Sequence, residues 1–444
     1  MLRSWFDRLL GRAPAPPPPR GARREVAAPR ATAAAPMLPA AVGAHRPLVS
    51  AQGGIAGFEF RIADAALQRL RGRADPAAAS AGTAALLAAM RLTAQRGQVA
   101  FCELPLVWLV RAGDDARLQA GMQIALAPAD AEDAAIEGLP TLISGWRASG
   151  AAIGWRPDAA PAGLGADARP DFVLLQSDGA TAALVDSLRS WRARQPALPL
   201  IVLDLPGLDA LEAVLLAGAA LAGCAIDGAG EPKEARALPA QTQQLLRLMN
   251  QLAQDADTAE VVKAIKADVG LSYRLLRQLN SAALSPGGAE LGSIEQAVAL
   301  LGRNELYRWV SVLLVRQAPA RPVSSALQSM ALARARFFEL LAESRGETPA
   351  GALFTLGLAS MLPQLLQTRL VDALASLQLH RQAAAALLER QGPWVEYLTL
   401  AEVLDEGDLV EAAEMAAAYG GLPQVLLLSA KAWLFASSAG KPPV

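Results

Sequence analysis

Ala267-Asp268-Val269-Gly270-Leu271-Ser272-Tyr273-Arg274-Leu275-Leu276-Arg277-Gln278-Leu279-Asn280-Ser281-Ala282 decides how the second half of this chain folds. Leu271, Leu275 and Leu279 recur every four residues, so a helix would align them on one face with Leu276 beside them, while Arg274 and Arg277 point elsewhere. Asn280-Ser281 follows the last leucine, where short polar side chains can bond free carbonyls or the next turn. Upstream, Asp257-Thr258-Ala259-Glu260 reads as a helix cap with an acid three residues on, and downstream Ser293-Ile294-Glu295-Gln296 is a capping box. Gly302 can end that second helix and Asn304 can cap Glu305–Val315. Further helices are predicted over Ser325–Ser344, Gly351–Thr368, His380–Gln391, Val395–Leu404, Leu409–Tyr419 and Leu422–Ala436, with Pro319 and Pro322 as breaks. No strand pattern interrupts them.

Before the break at Asp227-Gly228-Ala229-Gly230 the pattern is different. Short apolar runs at Ile55–Ile62, Ala100–Leu104, Gln123–Leu126, Ala152–Trp155, Phe172–Leu175, Leu200–Leu203 and Cys224–Ile226 alternate with helical stretches at Thr83–Arg96, Asp130–Ser149, Thr181–Gln195 and Leu208–Leu221. That alternation favours a parallel sheet with helices outside, and the number of runs suits a closed barrel.

Two family resemblances attach to these halves. The block from Leu238-Pro239 through Ala267–Ala282, Ser293–Gly302 and Leu306-Tyr307-Arg308-Trp309-Val310 resembles the HDOD domains of bacterial signalling proteins, over 235–444. HDOD domains are related to metal-dependent HD hydrolases, and the resemblance puts the lost His-Asp pair at Ser360 and Met361 within Gly357–Leu362. Neither is a useful hard-metal ligand. The first half resembles a degenerate EAL domain, a TIM-like barrel that in active members cleaves cyclic di-GMP with carboxylate-held metal ions. Pro47-Leu48-Val49, Gly57-Phe58-Glu59 and the strand order carry that likeness. It implies that Glu59 is a remnant of the EAL motif, with Phe60-Arg61 replacing Ala-Leu. It also places Ala125 at an acidic ligand position, Arg156 near a lost aspartate pair, Leu174 at a lysine position and Ala222-Gly223 at a Gln-Gly, while Asp204 is one acid the alignment could rescue. Two-metal cleavage needs several converging carboxylates, so the resemblance implies no catalytic residues, no bound metal and no cofactor. By itself Glu59 on an alternating strand could equally face solvent or cap the barrel end. Trp146, Trp155 and Trp191 could stack on a nucleotide base, although core packing is the commoner role.

The fold expected is therefore α/β plus all-α. A degenerate EAL-type barrel over 46–230 precedes an all-helical HDOD domain over 235–444, and an Ala/Pro/Arg-rich disordered tail covers 1–45. At 444 residues two domains are the default. Leu2, Trp5, Phe6, Leu9 and Leu10 could build a short amphipathic helix over 2–12, making weak peripheral membrane contact or simply fraying. The tail holds seven arginines against Asp7 and Glu25, whereas the whole chain has a net charge of −1. The folded part is thus mildly acidic, which argues against nucleic acid. Two cysteines in apolar runs read as packing, and two histidines, His45 in a linker and His380 in a helix, form no metal pair. Absence of a spanning segment or signal peptide points to the cytoplasm. The joint expectation is a non-catalytic bacterial signalling scaffold that binds a regulatory protein, with Arg274, Arg277 and Asn280 as candidate contacts. The alternative is a cyclic di-GMP receptor that uses the barrel without hydrolysis, against which the lost lysine and acids make this nucleotide an unfavoured ligand.

Overall fold

The computed structural model describes residues 45–61, 76–113, 117–127, 136, 138–161, 164, 168–224, 238–254, 256–279, 293–347 and 349–439. The tail helix expected over 2–12 and the candidate contact Asn280 lie outside them. Eight strands close a barrel in sequence order: β1 (His45–Ser50), β2 (Ile55–Phe60), β3 (Val99–Leu104), β4 (Met122–Leu126), β5 (Ala152–Trp155), β6 (Val173–Gln176), β7 (Leu200–Leu205) and β8 (Leu221–Cys224). Strands β2 to β8 run parallel, whereas β1 is antiparallel to both β2 and β8. The sequence reading missed β1 and put His45 in a linker; His45 is the first residue of that strand. Pro47 and the polar residues around it hide the apolar signal, which only Leu48 and Val49 carry.

Alternation sorts each strand's side chains between two cores. Leu48, Phe101, Ala125, Phe172, Leu174, Ile201, Leu203 and Leu221 fill the barrel interior. Phe58, Phe60, Ala100, Cys102, Ile124 and Ile153 face outward and pack with Leu86, Leu87 and Met90 of α1 (Pro76–Ala94). The other helices around the barrel are α2 (Leu106–Arg111), α3 (Leu139–Ala148), α4 (Thr181–Arg194) and α5 (Leu208–Leu216). Helix α3 starts at Leu139 within the helix predicted over Asp130–Ser149, whose first residues lie mostly outside the described ones. The last strand covers Leu221–Cys224, meeting the predicted run Cys224–Ile226 at Cys224, the rest of which lies outside the described residues. It takes in Leu221, where a helix is predicted, because the small apolar residues there suit either structure.

The second half is helical throughout its described residues: α6 (Ala240–Ala253), α7 (Thr258–Lys266), α8 (Val269–Leu279), α9 (Ile294–Val315), α10 (Ser324–Arg345), α11 (Ala350–Ser360), α12 (Leu362–Leu366), α13 (Leu370–Ala375), α14 (Arg381–Ala384, continued by a π-turn to Glu389), α15 (Val395–Glu406), α16 (Leu409–Ala416) and α17 (Leu422–Ala439). Asp257 accepts from Ala259 N at 3.1 Å and Ser293 from Gln296 N at 3.2 Å, so both caps read from sequence form. Gly302 breaks α9 with φ 72° and ψ 167°. His380 lies just ahead of α14 as its cap, Nδ1 accepting from Gln382 N, rather than inside a helix. Helix α10 is buried on most sides, with Arg336 and Glu339 paired among its apolar residues, and packs on α11 and α17.

The two halves share an interface. No helix separates β1 from β2, and α10 and α15 of the second half pack on that hairpin, with α1 sharing the β2 side. Phe58 meets Trp433 edge-to-face at 5.1 Å. Gly53, at φ 76° in the hairpin turn, accepts from Ala326 N at 2.9 Å and touches the Pro322 carbonyl so closely that a Cβ would lie 1.6 Å from it. Arg321 clamps Glu212 of α5 with two bonds, at 2.7 and 2.9 Å.

Candidate functional site

In a barrel of parallel strands, reactive groups gather where the strands end. Here that rim is made by the ends of β2 to β7 and, because β1 runs the other way, by its beginning. The inward position nearest the rim is charged on strand after strand: Arg46 on β1, Glu59 on β2 and Glu103 on β3, with Arg156 just past β5. Asp204 joins them because β7 bulges between Val202 and Leu205, and its φ of 58° turns the carboxylate to the mouth.

Each of these acids faces a guanidinium. Glu59, only 4% exposed, accepts from Arg61 Nε at 2.7 Å and lies 3.8 Å from Arg46 Nε. Asp204 accepts from Arg46 Nη1 at 2.9 Å, from Gln176 Nε2 at 3.0 Å and from Arg61. Arg156 grips Glu103 with two bonds, at 2.8 and 2.6 Å. Burial alone would raise the Asp204 pKa, but Arg61 and Arg46 outweigh it and hold the carboxyl below its ordinary range. Burial would likewise lower the Arg61 pKa, and Glu59 and Asp204 together raise it. All three acids are thus held as charge-neutral pairs.

The EAL resemblance implies a pair of divalent ions at this mouth, and these residues do not fit them. The acids reach the rim, yet each is already engaged by a guanidinium, and Leu174 and Ala125 belong to the apolar interior. Among the described residues no group of three or more His, Cys, Asp or Glu is placed to hold a metal ion. Of the sequence candidates, Glu59 does not face solvent; it is buried in the mouth, together with the Asp204 that the alignment could only half place. Glu103, the partner of the Arg156 noted from the resemblance, and Arg46 were missed. A single acid in the apolar run Phe101-Cys102-Glu103-Leu104 is the signal that could have found the pair, since an inward charge on a barrel strand survives only near an end.

The tryptophans take core roles: Trp155 is buried, and Trp146 and Trp191 pack against the outer layer, Trp191 also under Arg194. Cys102 and Cys224 are buried and not joined in a disulfide, and burial pushes the Cys102 thiol up, leaving little nucleophilic thiolate.

In the helical half, Ser360 and Met361 sit at the end of α11. Ser360 Oγ donates to Gly357 O at 2.8 Å, and Met361 is buried in the core. On α8, Leu271, Leu275 and Leu279 are buried while Arg274 and Arg277 are exposed. A separate cavity of about 870 Å³ lies between α6, α9, α10 and α11, with His380 on its edge. On its wall Arg308 pairs with Glu305 and Glu339, and Arg336 behind it lies 2.5 Å from Glu339 and 3.3 Å from Glu343. His380 stacks on Trp394 with ring centroids 4.7 Å apart.

Residues 236–391 match the HDOD domain family, so the chain carries an HDOD domain, and its helices continue beyond the match to Ala439. Among curated proteins the chain is similar to protein YuxH of Bacillus subtilis, 28% identical over 171 residues, covering 38% of this chain and 42% of that one. It is similar also to the cyclic di-GMP phosphodiesterase CdgJ of Vibrio cholerae, 28% identical over 165 residues, covering 37% and 38%. The matched segment thus spans about two fifths of each relative. Among solved structures, the EAL domain of Mycobacterium smegmatis DcpA aligns with 16% identity and a TM-score of 0.31, covering 41% of this chain and 89% of that one. The cAMP-bound EAL enzyme Bd1971 aligns with 11% identity and a TM-score of 0.30, covering 41% and 61%. No described helix is long and apolar enough to cross a membrane.

Proposed function

We propose that this chain is a non-catalytic bacterial signalling scaffold of the cytoplasm, related to cyclic di-GMP pathways, whose helical half binds a regulatory protein. The observation that carries this reading is the arginine pairing at the barrel mouth. A carboxylate that already has a buried guanidinium partner gains little from a metal ion and would have to expel that partner first. On this reading neither half turns over a nucleotide, no cofactor is required, and the barrel serves to hold the helical half through the β1–β2 face. Arg274, Arg277 and Asn280 are the contacts we assign to the partner, the first two being exposed beside a packed leucine stripe.

The cyclic di-GMP receptor reading draws support from the name of the Vibrio cholerae relative, but Leu174 supplies no phosphate contact and the guanidinium groups of the mouth are already engaged by carboxylates. Titration calorimetry of the full chain with cyclic di-GMP separates the two readings. The scaffold reading expects no binding heat; tight binding abolished by Glu59→Ala would replace it with the receptor. For the helical half, affinity capture with the full chain should lose its partner in an Arg274→Glu/Arg277→Glu variant, and undiminished capture contradicts the assignment.

A further inference from the structure

Helix α8 displays a line of residues that the other described residues leave exposed. Val269, Tyr273 and Arg277 follow one another at four-residue spacing, with Val269 83% and Tyr273 62% exposed. The Arg277 guanidinium lies 5.7 Å from the Tyr273 ring centroid. Arg274 is exposed on the same helix, close enough to Arg316 that its charge, after burial, lowers the Arg316 pKa. Arg316 donates to the Ala439 carbonyl at 2.9 Å, and among the described residues no carboxylate pairs with Arg274, Arg277 or Arg316. A tyrosine and arginines around an apolar spot make the composition of a binding centre, here with uncompensated positive charge.

The chain carries a face of the opposite kind on α16. Leu409, Ala412 and Ala416 are buried, which turns Glu411 and Glu414 to solvent beside Val410, 45% exposed. Glu406, at the end of α15, is exposed next to them, and Asp408 caps α16 by accepting from Val410 N and Glu411 N at 3.0 and 3.1 Å. Among the described residues none of Glu406, Glu411 and Glu414 has a cationic partner. The two faces do not meet within one chain, since α8 packs on α7 and α9 while α16 packs on α15 and α17. Their charge and their apolar centres complement each other.

We infer that the occupant of the α8 face is the α16 face of a second copy of this chain. The inference rests on the reading of Arg274 and Arg277 as partner contacts and names the partner. Because the two patches differ, the contact is head-to-tail: each copy offers an α8 to one neighbour and an α16 to another, building a ring or a short filament. Its strength should fall with salt, since the charges lie at the surface.

Sedimentation of the full chain at about 50 mM and about 500 mM NaCl tests it. The expected result is an average mass that rises with concentration at low salt and returns to the monomer at high salt. Arg274→Glu/Arg277→Glu and Glu411→Arg/Glu414→Arg should each weaken association by about tenfold or more. An equimolar mixture of the two variants restores opposite charge at every junction and should associate again. A wild-type chain that stays monomeric in both salts overturns the inference, as does a mixture that fails to reassociate. Binding of phosphatidylglycerol vesicles through Arg274 and Arg277 without self-association also overturns it, reassigning the face to a lipid surface. If the wild type is monomeric but Arg274→Glu/Arg277→Glu loses a foreign protein partner, self-association falls while partner binding by the helical half stands.

Discussion

Arg46 is 3% exposed and faces two carboxylates, so its removal uncovers the cost of the charges it neutralises. Arg46→Leu should lower stability by about 3–5 kcal/mol, the usual penalty for breaking a buried pair, read as a fall in the urea midpoint. Adding Glu59→Gln should recover part of that loss; a loss under about 1 kcal/mol, with nothing to recover, would show that the pair is not buried in solution. Asp204 gives the acid limb of the pH profile. Its folded pKa is depressed, so its stabilisation is present above the ordinary carboxylate value of about 3.9 and is lost as pH falls through the lowered one. Asp204→Asn should therefore flatten the acid limb. Tyr307 works at the other end: burial pushes its hydroxyl up to about 12, with the Thr355 hydroxyl bond at 2.8 Å opposing weakly. The stability it gives is present in full below the ordinary tyrosine value and disappears as pH rises towards 12. In Tyr307→Phe the urea midpoint should decline less between pH 10 and pH 12 than in the parent.

At the scale of elements, the β1–β2 hairpin is the most constrained piece. Gly53 has both a left-handed φ and the Pro322 carbonyl against the position a Cβ would take, so neither turn nor neighbour can accept alanine unchanged. Gly53→Ala should cost at least about 2 kcal/mol, measured by urea unfolding. Gly407 repeats the logic at the rim, where φ is 85° and a Cβ would lie 3.1 Å from Arg61 Cδ. Strands β2 to β7 and most of the long helices were legible in the sequence, because Phe101, Ile153 or Leu271 declare their faces by period alone. Strand β1 was not, since its charge and proline serve contacts made with segments far along the chain. The mouth was half legible for a similar reason. The EAL resemblance singled out Glu59 and Asp204, but pairing them with Arg46 and Arg61 requires the bulge at β7 and the reversed β1, and neither has a local pattern.

Across the whole molecule, the helical half covers the part of the hairpin that α1 leaves open, joined by Phe58–Trp433, Arg321–Glu212 and the Gly53 turn. Halves packed in this way should unfold together, and thermal unfolding followed by tryptophan fluorescence and by far-ultraviolet circular dichroism should give coincident transitions. Trp433→Ala should pull the two apart, and two separate transitions in the parent protein would mean that the interface contributes little. Such coupling also bears on function, because the helical half then presents α8 and α16 from a fixed base.

The claim at the centre of this account is that arginines occupy the barrel mouth in place of metal ions. Turnover of cyclic di-GMP by the full chain in Mg or Mn is its most direct test. The account predicts that no linear product forms with either ion. Metal-dependent hydrolysis that Glu59→Gln abolishes would contradict it, showing that the guanidinium groups give way and the mouth still works as an enzyme.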